Sequence, residues 1–232
     1  MSGIEIIPVE GLPEVQPGDV LAQLIADRVT LQDRDVVVVT QKVVSKAEGR
    51  VVDLDESDLA ARQALVEAES VRVLRRRAGL VVSETRHGFV CANAGVDVSN
   101  VPRGKAALLP VDPDRSARRI RDGIRARVAV EVGVIVSDTF GRTWRVGVTD
   151  VAIGCAGIAA VVDLRGTTDS GGRTLVATEV AVADELAGAA ELVMGKSSEI
   201  AVAVVRGVEG SWFRESSARA EIVRPHREDL FR

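Results

Sequence analysis

Three short aliphatic runs constrain this chain more than any other feature. Asp35 to Thr40 encloses four consecutive valines, Val132 to Val136 reads V-G-V-I-V, and Ala201 to Val205 reads A-V-A-V-V. A strand with one face in water alternates apolar and polar residues; these runs have no polar face, so each must be covered on both sides. Helical spacing supplies flanking elements: Val20, Leu21, Leu24, Ile25 and Val29 behind Asp19 as N-cap, a long amphipathic helix from Ser57 to Arg77, and helices over Ser116 to Arg127 and Asp184 to Met194. Shorter strands are expected at Ile4 to Pro8, Leu80 to Ser83, Phe89 to Ala92 and Thr174 to Val182, with Arg86-His87-Gly88 turning a hairpin. Asn93 to Arg103 is a polar loop, and the small residues from Gly147 to Ala160 predict close backbone packing. No linker, repeat or low-complexity segment divides the chain. The expectation is one α+β domain over residues 1–232, in one or two lobes, with interleaved mixed sheets and flanking helices.

A chain of 232 residues buries a substantial core without disulfides. With four Phe, two Trp and no Tyr, that core must be aliphatic. Cys91 and Cys155 stand far apart in apolar surroundings and read as small core residues in a reducing compartment. Met1 to Val9 has no signal-peptide core, and no run approaches the roughly 18 apolar residues of a membrane span, so a cytoplasmic protein without membrane contact is expected. A net charge of −4 does not favour nucleic acid. The arginines at 72, 75, 76 and 77, and at 118, 119, 121, 125 and 127, lack interleaved aromatics and read as solvated or subunit-facing helix surfaces.

Gly195-Lys196-Ser197 looks like the end of a Walker phosphate loop, but the glycine required five residues earlier is Ala190, and the segment closes a helix rather than opening one. It reads as a helix C-cap. His87 and His226 are the only histidines and lack ligand spacing to a cysteine, which disfavours zinc. No G-x-S-x-G elbow is present. Oxygen chemistry remains. Hard divalent cations are held by one or two carboxylates with hydroxyls, water and phosphate oxygens. Asp97 in N-A-G-V-D-V-S-N and Asp138, where the run from Val132 stops at Ser137-Asp138-Thr139, are the candidate pair. Taken singly, Asp97 also fits an Asx-turn and Asp138 a cap. Lys46 offers an ammonium for phosphate or is a solvated lysine.

The blocks I-x-P-V-x-G-L-P-E, V-V-V-V-T-x-K-V-V-S-K-A-E-G-R, N-A-G-V-D-V-S-N-V, L-L-P-V-D-P-D, V-S-D-T-x-G-R and A-V-V-R-G, in this order from Ile4 to about Gly207, resemble the coenzyme F420:L-glutamate ligase family. The resemblance implies an enzyme that uses GTP and Mg²⁺ or Mn²⁺, two per site, with K⁺ as a further cation, to attach L-glutamate to the phospholactyl arm of coenzyme F420-0 and then to add γ-linked glutamates. It implies nucleotide contacts at Leu12, Pro13, Glu14, Val15, Gln41 and Asn100, phosphate contact at Lys46, one metal on Asp97 and Asp138, and a second on Thr139. Many relatives carry serine where this chain has Gln41, although an amide can replace a hydroxyl as donor or acceptor. Arg142, Arg206 and the adjoining Gly207 are candidate carboxylate or phosphate contacts. The resemblance further implies an intertwined homodimer, and a chain that either stands alone or is the N-terminal part of a longer protein with a reductase-like domain. An acyl phosphate formed by phosphoryl transfer to the carboxylate accounts for amide synthesis. A metal-dependent phosphohydrolase and a non-catalytic nucleotide-binding protein are the rival readings; the common phosphatase pattern needs an acid at position 140, which is Phe.

Overall fold

The computed structural model describes residues 3–55 and 57–229. In chain order its elements are β1 (Glu5–Pro8), α1 (Leu21–Ala26), β2 (Val36–Thr40), α2 (Gln41–Ala47), β3 (Val51–Asp53), α3 (Leu59–Glu69), β4 (Ser70–Arg77), β5 (Leu80–Thr85), β6 (Val90–Ala92), β7 (Lys105–Ala107), α4 (Pro113–Val128), β8 (Gly133–Gly141), β9 (Val148–Ala156), β10 (Val162–Asp163), β11 (Glu179–Val180), α5 (Val182–Met194), β12 (Val202–Arg206) and α6 (Ala218–Glu221). The fold is mixed α+β, as the sequence indicated.

The three aliphatic runs become β2, β8 and β12, side by side in a five-stranded sheet of order β1-β12-β2-β8-β9. Only β2 and β8 are parallel; the other neighbours are antiparallel. Both faces of the sheet are covered. Val37, Val39, Val134, Val136, Val202 and Val204 pack with residues of α1 and α4. Val36, Val38, Ile135, Ala203 and Val205 pack with α5 and α6. Small residues on β9 admit α4 at close range: a Cβ added at Gly154 would lie 2.4 Å from the Pro113 carbonyl oxygen. A third apolar cluster, including Leu54, Val66, Val81, Val96 and Leu108, lies beneath β3, β7 and the β4-β5-β6 sheet.

Four expectations are corrected. Asp19 does not cap α1: Val20 holds the N-cap position, and the Asp19 carboxylate accepts the Gln16 amide in the preceding turn. The helix expected from Ser57 to Arg77 ends at Glu69, and Ser70–Arg77 is strand β4. Asp58 caps that shortened helix by accepting from the amides of Ala60 and Ala61. β4 returns into β5 through Ala78 and Gly79, both at positive φ, as a two-residue hairpin requires. The pairing partner decides here, because the exposed face of β4 carries arginines that suit a helix surface equally well. The strand expected from Thr174 to Val182 reduces to the two-residue β11 and an isolated bridge between Thr168 and Thr174, and Val182 already opens α5. Finally, the run from Val132 does not stop at Ser137; β8 continues to Gly141.

Among the described residues no helix is long and apolar enough to cross a membrane. Both cysteines are free and buried. Several arginines of the two clusters are paired on the surface, for example Arg76 with Glu67 on β4 and α3, and Arg127 with Asp27 on α4 and after α1.

Candidate active site

β2 ends at Thr40, opposite Ser137 of β8, and the chain turns at once into α2. β8 runs four residues past that last pair, so the edge it shared with β2 becomes free from Asp138 to Gly141. A cleft of about 670 Å³ opens there, outside the carboxyl ends of the two parallel strands. Leu12, Pro13, Glu14 and Val15 line it, with Gln41 and Lys46 of α2, Asn100, and Ser137, Asp138 and Thr139 of β8. Asp150 of β9, Thr40, Lys42, and Lys196, Ser197 and Glu199 after α5 add to the polar lining.

Asp97 does not line the cleft but stands behind it. Its loop is held by an isolated bridge to Ala107 of β7 and by Gly95, where φ is +73° and any Cβ would meet Leu109 at 2.6 Å. The Asp97 carboxylate accepts the Ser99 amide at 2.7 Å and pairs with Lys42 at 2.8 Å. Burial works against its ionisation, yet the Lys42 ammonium and the Ser99 amide overcome that and hold its pKa below the ordinary value. Asp138 shows the opposite balance. Burial, reinforced by the negative charges of Asp97 and Asp150, pushes it up to about 7 against a single amide bond from Thr139 and the distant Lys42 charge.

Asp150 is a participant that the sequence reading missed. It is buried, accepts Ser137 Oγ at 2.8 Å and Thr139 Oγ1 at 2.5 Å, and pairs with Thr139 across the β8–β9 ladder. One extra residue in β9 makes this possible, since the register shifts between Val136 and Ser137. Without it, the pairing Val136↔Gly154 would place Val151 opposite Thr139 and turn Asp150 to the other face. The polar residue within V-T-D-V, across a hairpin from S-D-T, is the only local signal, and no local rule places the bulge.

Lys46 is engaged with Glu14 at 2.7 Å, so a phosphate must compete with that carboxylate. Gln41 is 1% exposed; its amide nitrogen donates to Ser45 Oγ and the Leu108 carbonyl, while Oε1 has no partner. With Nε2 engaged and Oε1 buried, the Gln41 side chain as placed is not open to a nucleotide contact. Asn100 adopts φ +54° and donates weakly to the Lys196 carbonyl at 3.4 Å.

Arg206 and Gly207 do not join the site. β12 runs antiparallel to β2, so its arginine end lies at the other end of the sheet, where Arg206 forms two 2.8 Å bonds to Asp35. Arg142 lies in the hairpin between β8 and β9 and donates to the Val146 carbonyl. Gly195 closes α5 at positive φ, as a C-cap, and brings Lys196 to the cleft. His87 donates from Nε2 to the carbonyls of Pro110 and Val111, and burial lowers its pKa, so it is neutral and structural.

Among the described residues no three His, Cys, Asp or Glu side chains form a ready-made metal cage. The donor chemistry between Asp97 and Asp138 nevertheless fits one hard cation. Asp138 is a recessed carboxylate with no ion-pair partner among the described residues, and its proton affinity is raised by burial and, secondarily, by the charges of Asp97 and Asp150, an imbalance that a dication with water and phosphate ligands would relieve. The Thr139 position is different. Its hydroxyl already donates to Asp150 and accepts from the Lys196 ammonium, so it does not fit a second cation as it stands.

The chain matches the model of the family described as F420-0:gamma-glutamyl ligase over residues 11–207. It is 43% identical over 250 aligned residues to the coenzyme F420:L-glutamate ligase of Methanothermobacter thermautotrophicus, with 99% of each chain covered. Against the protein of the same name from Methanopyrus kandleri the identity is 45%, covering all of both chains. The Archaeoglobus fulgidus protein of that name is 42% identical, with 99% of this chain and 96% of the relative covered.

Proposed function

Because the chain belongs to the F420-0:gamma-glutamyl ligase family, we propose that it joins L-glutamate to the phospholactyl carboxylate of coenzyme F420-0, and then adds γ-linked glutamates, at the expense of GTP. The supporting observation is convergence: four sequence-distant segments bring Glu14, Lys46, Asn100 and the Asp138-Thr139 pair to one cleft beside a free strand edge.

The chemistry follows from charge. A carboxylate resists amine attack because it is anionic and its oxygen leaves poorly. A carboxylate oxygen attacks the γ-phosphorus, the bond to the β-phosphate oxygen breaks, and GDP departs. The glutamate amine then attacks the acyl carbon, loses a proton, and phosphate leaves with the bonding pair. Lys46 exchanges Glu14 for phosphate oxygens and acts as a point charge on them. Asn100 orients the nucleotide, and Leu12 to Val15 cover it. Asp97 and Asp138 would hold Mg²⁺ or Mn²⁺, which would supply positive charge to neutralise the transferring phosphoryl group.

The reading includes a homodimer. Trp144, Val146 and Val148, in and beside the β8–β9 hairpin, are 88%, 98% and 62% exposed, and a second copy would cover them.

Incubation with GTP, Mn²⁺, K⁺, L-glutamate and glutamate-free cofactor, followed by mass spectrometry, tests the ligase. Glutamate-sized mass increments formed together with GDP are expected. Phosphate release indifferent to glutamate would replace the ligase with a phosphohydrolase.

A further inference from the structure

Lys196 belongs to the segment that resembles a Walker loop but fails its spacing, and the ligase reading so far gives it no task. In the structure its ammonium donates to Thr139 Oγ1, the atom on which the family resemblance implies a second metal. The same nitrogen lies 3.7 Å from Asp150 Oδ1 and 4.0 Å from Glu191 Oε1. Each oxygen of Asp150 already accepts a hydroxyl, Oδ1 from Thr139 and Oδ2 from Ser137. The hydroxyl of Thr139 has one hydrogen, directed at Asp150, and one of its two lone pairs takes the ammonium.

A magnesium-sized ion needs oxygen ligands near 2.0–2.1 Å in octahedral array. Such an ion on Thr139 would sit directly against the Lys196 ammonium, and the carboxylate beside it, Asp150, already has both oxygens engaged by hydroxyls. The Asp97 and Asp138 position also faces an ammonium, Lys42 at 2.8 Å from Asp97, but it has an unengaged carboxylate to offset it: Asp138 accepts only the Thr139 amide.

We propose that Lys196 supplies, as a fixed ammonium, the positive charge that a second metal would bring, so that this protein works with a single divalent cation held by Asp97 and Asp138. Resting on the ligase reading, the same ammonium faces the nucleotide phosphates from the rim of the cleft, across from Lys46. The C-capping turn at Gly195 sets its position, and its half-exposed side chain makes the residue replaceable without loss of the fold.

The test counts Mn²⁺ bound per chain in the presence of GDP, from the electron paramagnetic resonance signal of the free ion. One ion is expected for the wild type and for Lys196→Arg, and two for Lys196→Gln, whose neutral amide oxygen is itself a hard ligand. Two ions in the wild type, or equal numbers in the wild type and Lys196→Gln, overturn the proposal. In the glutamate-addition assay, Lys196→Gln should need roughly tenfold more Mn²⁺, with a rate second order in the ion at low concentration. A rate that stays first order in both proteins argues against the exchange. Because the count does not depend on turnover, failure of the ligase assay leaves it readable.

Discussion

Asp35 and Asp138 lie at opposite ends of the same parallel pair of strands, and the fold treats them in opposite ways. Asp35, just before β2, is fully buried and accepts two bonds from the Arg206 guanidinium and one from the Gln32 amide. Asp138, beyond the last residue paired with β2, has one amide and two neighbouring carboxylates. The first carboxylate is complete without a ligand; the second is complete only with an added proton or cation. A buried charge therefore marks a site by the partners it lacks rather than by its burial.

Replacement at Asp138 should have the largest effect. Asp138→Asn removes a ligand to the proposed metal and should lower glutamate addition by about a thousandfold, roughly 4 kcal/mol of barrier, with the fold retained. Mass spectrometry of the products beside circular dichroism checks both halves, and an active variant would erase the contrast with Asp35. Arg206→Met should act the other way. It strands the Asp35 charge and should cost about 3 kcal/mol of stability by urea unfolding, while the folded fraction keeps its turnover. Lost turnover at unchanged stability would return Arg206 to the substrate.

The pH dependence of the metal-free protein should sharpen the comparison further. A carboxyl raised to about 7 in the folded state binds its proton more tightly there than in the unfolded chain. Its contribution is fully present below the unfolded value near 4 and is lost as pH rises through 7, so stability should fall by on the order of 1–2 kcal/mol after solvent screening. Asp138→Asn should flatten that slope in thermal melts from pH 4 to 8, and an unchanged slope would assign it elsewhere. The smallest effect is expected at the hairpin, where Trp144→Ser should weaken self-association by about 1–2 kcal/mol in sedimentation, leaving both carboxylates untouched.

The buried strands, the helix over Asp184 to Met194, the hairpin at Arg86 to Gly88 and the Gly195 cap were all legible, because each follows from local apolar pattern or backbone preference. The boundary between α3 and β4 was not. Val71, Val73 and the arginines around them satisfy either a helix or an exposed strand, and only pairing with β5 selects the strand. Likewise Gly-Lys-Ser was legible as a cap, but not as the carrier of an ammonium to Thr139.

By itself the sequence determined a central sheet of doubly covered strands, an aliphatic core and the family, through ordered blocks that include Asp97, Asp138 and Lys46. Only the tertiary structure decided which end of the sheet each polar residue occupies. The antiparallel direction of β12 carried Arg206 away from the cleft, the bulge in β9 turned Asp150 toward Thr139, and the end of α5 delivered Lys196. Strand direction, register and helix placement are set by contacts distant in sequence, so no local pattern records them.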